Sequence, residues 1–196
     1  MIKKFKNKTV NDCLYYPKVS IITVVKNGQK HLDKTIKSVI NQKYKNIEYI
    51  VIDANSTDNT NNIIKKYRKF IDIYMRGLDK GLWDAMNLGI KNSSGSIICF
   101  INSDDIFDKN AVNYAVKYLK DRKIDFLFGT VFKHWLKVGF NPNIARYSFG
   151  FYTTHSVGFF IKRKVHDEMG LYNTSFASAD LDFFLRVIFS KKYKGC

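Results

Sequence analysis

Three short apolar runs, Val19-Ser-Ile-Ile-Thr-Val-Val25, Ile47-Glu-Tyr-Ile-Val-Ile52 and Ser96-Ile-Ile-Cys-Phe-Ile101, each break off into polar residues: Asn27, Asp53 and Asn102-Ser-Asp-Asp105. Such runs, mostly apolar and β-branched, read as strands buried on both faces, the habit of a parallel sheet. Between the first two, Leu32, Ile36, Val39 and Ile40 recur at helical spacing. Ile63, Ile64 and Tyr67 follow the second run, and Val112, Ala115, Val116 and Leu119 the third, again with helical period. Strands alternating with helices predict βαβ units, right-handed crossovers and a mostly parallel sheet through about residue 121. In such a sheet the strand ends share one edge. Asn27, Asp53 and Asp104 are therefore expected in the crevice where open α/β sheets bind ligands.

The remaining elements fill out this plan. Asn55-Ser-Thr-Asp-Asn59 reads as a turn and helix cap, Ile71–Met75 as a short strand, and Leu82–Lys91 as a helix with Ala85, Met86 and Gly89 on a close-packing face. Past residue 121 the regular alternation ends. Asp125–Phe132 and Ser156–Ile161 read as strands, with Lys164–Met169 and Ala179–Ser190 as helices. Residues 1–18 form a polar, basic lead-in, and 19–196 a single domain with halves 19–121 and 122–196.

The 196 residues suffice for one domain with a sizeable core. Hydrophobic residues at 45% exclude general disorder, and two prolines leave no Pro-rich linker. No stretch of eighteen apolar residues is present, and the basic start lacks a signal-peptide core, so a cytoplasmic chain is expected. Cys13, Cys99 and Cys196 show neither zinc spacing nor a disulfide framework. The formal charge of +16 favours anionic partners. Its spread along the chain, without a zinc finger or RNP-like motif, argues against nucleic acid as the partner. Anionic small substrates and anionic lipid remain.

At the strand ends the chemistry is specific. The adjacent carboxylates of Asp104 and Asp105 suit a hard cation, Mg²⁺ or Mn²⁺, and through it a phosphate. They equally suit an acidic turn capping the next helix. Asp53 can accept hydrogen bonds from a base or ribose, or simply shape its turn. His155 precedes a strand and can meet a diphosphate, metal or acceptor, or serve structure alone. Trp83 and Trp135 offer a stacking face or core packing.

Five segments match a family pattern in order: Val19-Ser-Ile-Ile-Thr-Val-Val-Lys-Asn27, Val51-Ile-Asp-Ala-Asn-Ser-Thr-Asp58, Asp79-Lys-Gly-Leu-Trp-Asp-Ala-Met-Asn-Leu-Gly89, Phe100-Ile-Asn-Ser-Asp-Asp105 and Ser178-Ala-Asp-Leu-Asp-Phe-Phe-Leu-Arg186. On these, the chain resembles family 2 glycosyltransferases of the bacterial cell-surface polysaccharide type. The resemblance implies the GT-A fold and inverting transfer from a nucleotide-sugar, with a UDP-sugar as the expected donor, to a glycan or lipid-linked acceptor. It implies that Thr23, Val25 and Asn27 line the nucleotide pocket and that Asp53 binds the base. Lys80 and Asp84 fall beside the donor. Asn102 and Ser103 become donor contacts, and Asp104 the ligand of Mg²⁺ or Mn²⁺, with Asp105 supporting the turn. Asp180 matches the catalytic base, steadied by Asp182 and Arg186; read without the resemblance, it is an exposed acid favoured by a helix N-terminus.

Several positions depart from the family's commoner residues: Lys26 for an aromatic, Ala54 for a second acid, Met86 for an arginine and Asn102 for the first acid of the DXD motif. The pattern commonly continues beyond the last helix, so the acceptor-side half is read as shortened. Two alternatives stand beside transfer: nucleotide-sugar binding without transfer, and a basic polyanion-binding module. Peripheral contact with anionic membrane is expected from the charge and the lipid-linked acceptors that the resemblance implies.

Overall fold

A computed structural model describes residues 16–77, 80–132, 136–137 and 158–196. Its elements run β1 (Val19–Val25), α1 (Leu32–Ile40), β2 (Ile47–Asp53), α2 (Thr60–Lys66), a 3₁₀ turn (Arg68–Phe70), β3 (Ile73–Arg76), α3 (Leu82–Asn92), β4 (Ile97–Phe100) and α4 (Ala111–Asp121). They continue through β5 (Phe126–Phe128), β6 (Val131–Phe132), β7 (Leu136–Lys137), β8 (Phe159–Lys162), α5 (Arg163–Met169) and α6 (Ala179–Phe189).

One six-stranded sheet has the order β3-β2-β1-β4-β8-β5. The first four strands pair in parallel, and β8 joins antiparallel to both β4 and β5. The apolar runs explain this directly. Six of the seven residues of β1 are buried, because helices cover both sides of the sheet. Odd-numbered residues of β1 and β2 pack with α1, α2 and α4; Ile22, Ile50 and Ile52 pack with α3 and share a core with α5 and α6. Strand alternation thus assigns each side chain to one of two cores.

Glycine permits the closest helix–sheet approach. A Cβ built on Gly89 of α3 comes 2.5 Å from Cγ2 of Ile22, so only a residue without a side chain fits there.

Boundaries differ from the sequence expectation where polar groups intervene. β3 begins at Ile73 because the backbone N–H of Ile71 donates to Arg68 and the Asp72 carboxylate accepts from the Tyr49 N–H. The expected Asp125–Phe132 strand divides at Gly129, whose N–H donates to Gly158 O at 2.8 Å; β6 then leaves the sheet to pair with β7. At the start of α2 the N-cap Asn59 makes no side-chain cap bond, and Asp58 just before it accepts from both the N–H and the hydroxyl of Thr60. Arg163 closes the far end of the sheet, donating from Nε to Gly95 O at 2.7 Å. Trp135 and His155 lie outside the described residues.

Candidate functional site

The parallel register builds a row across the sheet edge. Val25 stands opposite Asp53, and Asp53 opposite Arg76. Phe100 is level with Ile22, so three residues further on Ser103 reaches the height of that row. The side chains divide sharply. Thr23 and Val25 are buried beneath the α1–α2 layer, with the Thr23 hydroxyl 3.2 Å from Tyr49 OH. Asn27 is exposed and holds φ at +54°, a left-handed turn that Asn tolerates better than most residues.

This turn is laced to the β2–α2 loop. The Asn27 N–H donates to Ser56 Oγ at 2.9 Å, and Asn27 Oδ1 accepts from the Thr57 N–H at 2.9 Å. Gly28 N–H donates to Thr60 Oγ1, and Gln29 N–H to Asp58 Oδ2. A Cβ at Gly28 would meet Val25 Cγ2 at 2.5 Å, so the loop lies flat against the strand end. An open depression of about 390 Å³ lies along it, lined by Gln29, Lys30, Thr57 and Asp58 among others.

Asp53 is fully buried. Its Oδ1 accepts from the Ser56 N–H at 2.9 Å, while Oδ2 faces Arg76 Nε at 3.3 Å and Tyr74 OH at 3.4 Å. Arg76 also donates from Nη2 to Ser56 O at 2.8 Å, so one guanidinium spans the strand end and the turn. Sequence reading missed Arg76. The strand-end rule applied to β3, as it was to its three neighbours, finds it.

The loop after β4 delivers the acids. Asp105 N–H donates to Asn102 O, closing a turn, and Thr35 Oγ1 donates to Asp105 O at 2.8 Å, pinning that turn to α1. Asn102 and Ser103 are half-exposed, and Asp104 is exposed. Among the described residues no hydrogen bond or ion pair engages the Asp104 carboxylate. No group of three or more His, Cys, Asp or Glu side chains suited to a metal occurs among them. A single free carboxylate still fits a cation held mainly by diphosphate oxygens and water, the usual Mg²⁺ arrangement.

The other wall is α3 and α6. Gly81, at φ +102°, starts α3; Lys80 is exposed in front of it, and Asp84 lies half-buried in its first turn. Trp83 Nε1 donates to Ala177 O at 3.0 Å, and its ring lies 5.4 Å from that of Tyr172. Asn87 clamps Tyr172 from both sides, donating to its carbonyl at 2.8 Å and accepting its N–H at 2.9 Å. These contacts hold the chain entering α6, whose first turn carries Asp180 and Asp182. Asp182 is paired with Arg186 at 3.0 Å. Arg186 reaches on to the carbonyls of Met169 and Leu171. Among the described residues the one hydrogen bond to the Asp180 carboxylate comes from the Leu181 N–H, at 2.9 Å, and Asp180 is half-buried.

A four-stranded parallel edge that carries buried and free carboxylates is where open α/β sheets bind their ligands. The glycosyl transferase family 2 model matches residues 20–191, and the chain belongs to that family. It is 28% identical over 181 residues to the glycosyltransferase GlyA of Streptococcus pneumoniae, covering 91% of this chain and 24% of that protein. Over 115 residues it is 29% identical to the putative teichuronic acid biosynthesis glycosyltransferase TuaG of Bacillus subtilis, covering 57% of this chain and 46% of TuaG. The chain thus spans less than half the length of these relatives.

Its fold matches TarS 1–349 of S. aureus in complex with UDP-GlcNAc at a TM-score of 0.74 and 20% identity, covering 91% of this chain and 56% of that one. The mannosyltransferase PcManGT of Pyrobaculum calidifontis, solved with GDP-Man and Mn²⁺, matches at 0.74 and 18% identity, covering 93% and 55%. The fold is that of GT-A glycosyltransferases.

Proposed function

We propose that the chain transfers a sugar, with inversion, from a UDP-sugar to a glycan or lipid-linked acceptor in cell-surface polysaccharide synthesis, working beside an anionic membrane surface. The observation that carries this reading is the convergence of Asp53, Arg76 and the free Asp104 on one sheet edge, with the chain entering α6 tied to the start of α3 through Trp83. The TarS and GlyA relationships support the sugar-transfer class.

In this reading the β1–α1 turn at Asn27 and the row behind it receive the nucleotide. Asp53 has both oxygens engaged, so Arg76 either moves aside for the base or makes the contact in its place. Asn102 and Ser103 lie along the ribose and diphosphate, with Lys80 and Asp84 nearer the sugar. Asp104 would hold Mg²⁺ or Mn²⁺, which when bound stabilises charge on the departing diphosphate. Asp180 takes the proton of the acceptor hydroxyl as attack proceeds from the opposite face. The Arg186 anchor fixes the pitch of the helix that presents it, and it leaves Asp182 already neutralised.

The test is thermal stabilisation by UDP-, GDP- and dTDP-sugars with and without Mn²⁺. We expect a Mn²⁺-dependent shift with a UDP-sugar that Asp104→Asn removes and Asp180→Asn keeps. Donor turnover should fall at least a hundredfold in Asp180→Asn, the scale of lost general-base catalysis. Retention of full turnover by both variants sinks the mechanism.

A further inference from the structure

The two helical layers differ in charge. On one face, α1, α2 with the 3₁₀ turn after it, and α4 carry eight Lys or Arg against two Asp. On the other, α3, α5 and α6 carry four Lys or Arg against five acids. The eight cations are all exposed, and one of the two acids, Asp33, is already shared between Lys37 at 2.7 Å and Lys66 at 3.0 Å. Within the regular helices the positive charge is concentrated on one side of the sheet.

The same layer exposes large rings among its cations. Phe70, Tyr114 and Tyr118 are 46%, 58% and 44% accessible. Lys69 Nζ sits 4.9 Å from the Phe70 ring centre, and the Arg122 guanidinium 4.8 Å from that of Tyr118. Tyr114 and Tyr118 lie one turn apart on the outer side of α4, with Lys117 between them. Exposed aromatic rings interleaved with cations on one helical face suit the headgroup zone of a bilayer, where rings are half immersed and Lys or Arg meet lipid phosphates. A nucleic acid would be gripped by a stripe or groove, and the three helices present a layer.

We propose that the outer face of the α1–α2–α4 layer docks on an anionic phospholipid surface. The inference deepens the membrane-side part of the function above and rests on that reading for its purpose. All three helices begin at the sheet edge that carries Asn27, Asp53 and Asp104. With their layer laid on the membrane, that edge opens sideways at headgroup height, where a lipid-linked acceptor presents its sugar.

The experiment is flotation of the whole chain with vesicles of phosphatidylcholine alone, or with about 30% phosphatidylglycerol, at low salt. We expect binding to the anionic vesicles only. Lys65→Glu/Lys117→Glu should weaken it roughly thirtyfold or more, at about one kcal/mol per lost surface charge. Lys91→Glu/Lys192→Glu, which makes the same charge change away from this layer, should weaken it far less. Tyr114→Ser/Tyr118→Ser should remove the fraction that survives added salt.

Equal losses in the two charge pairs would show attraction by net charge alone and overturn the proposal. So would tighter binding to a DNA duplex than to the vesicles, or no discrimination between vesicle types. UDP-sugar thermal shifts on the same proteins keep the two readings apart. Lost vesicle binding with the shift retained in the Lys65→Glu/Lys117→Glu protein assigns the loss to the surface. A wild-type chain that floats with anionic vesicles but shows no nucleotide shift supports the surface while refuting the donor site.

Discussion

Asp53, which we propose for the donor site, also serves the fold. Its carboxylate is withdrawn from water and closed by the Ser56 N–H, Tyr74 and Arg76. Removing the cation leaves a buried charge short of a partner, which costs about 2 kcal/mol or more. Arg76→Met should therefore lower the urea midpoint by a corresponding amount; an unchanged midpoint would show that Ser56 and Tyr74 suffice. Asp53 itself was legible as a polar residue at a strand end. That Arg76 covers it was not, because the pair arises from register between strands whose spacing the sequence leaves open. Thr23 and Val25 illustrate the reverse. Their position at the end of β1 was readable, but the alternation of the strand turns both side chains into the core, leaving only their backbone near the crevice.

Among the elements, α3 and α6 depend most on particular contacts. Helix propensity alone favours alanine over glycine by roughly 1 kcal/mol. At Gly89 the 2.5 Å approach to the stiff Ile22 side chain reverses that preference. Gly89→Ala should destabilise by about 1–3 kcal/mol, and Ile22→Val should not restore the loss, since valine keeps the offending Cγ2 methyl; Ile22→Ala in the same chain should relieve the clash. Denaturant melts of the single and double variants decide this. The Asn87–Tyr172 clamp makes a second prediction. Asn87→Leu leaves a buried carbonyl and N–H of Tyr172 without partners, so it should cost at least about 2 kcal/mol and loosen the entry to α6. Limited proteolysis between residues 171 and 178 would rise in the variant; unchanged cleavage would show that Trp83 and Arg186 hold this segment without the clamp. The helical period of α3 and the acidic start of α6 were legible, but their mutual attachment depends on residues more than eighty positions apart.

For the whole molecule, His166 contributes to the loss of stability in acid. Burial against Phe183, with ring centres 4.4 Å apart, disfavours its charged form and lowers its pKa from 6.5 to about 4. The Gly170 carbonyl acts the other way, while Arg163 and Arg186 add to the lowering. The unfolded chain binds a proton at His166 below pH 6.5 that the folded chain refuses until about pH 4. Stability is therefore full above 6.5 and declines as the pH falls toward 4, by an amount on the order of 3 kcal/mol. His166→Leu should flatten that slope in denaturant melts taken across the window. No helix among the described residues is long and apolar enough to cross a membrane. The net charge in the sequence pointed to an anionic partner; that the helices on the α1–α2–α4 side carry more cations than those on the other side emerged only when the crossovers assigned each helix to a side.

By itself the sequence determined the alternating α/β plan, the strand ends that carry Asn27, Asp53 and Asp104, and the family pattern that adds Asp180. These features are local: apolar runs, helical periods and motifs lie within one stretch of chain. Tertiary structure decided the rest. Register aligned Val25, Asp53 and Arg76, strand alternation buried Thr23, and contacts from Trp83 and Asn87 brought α3 to the segment that enters α6. The physical reason is the same in each case. Which polar groups are satisfied internally and which stay free depends on contacts between distant segments, and only folding brings those segments together.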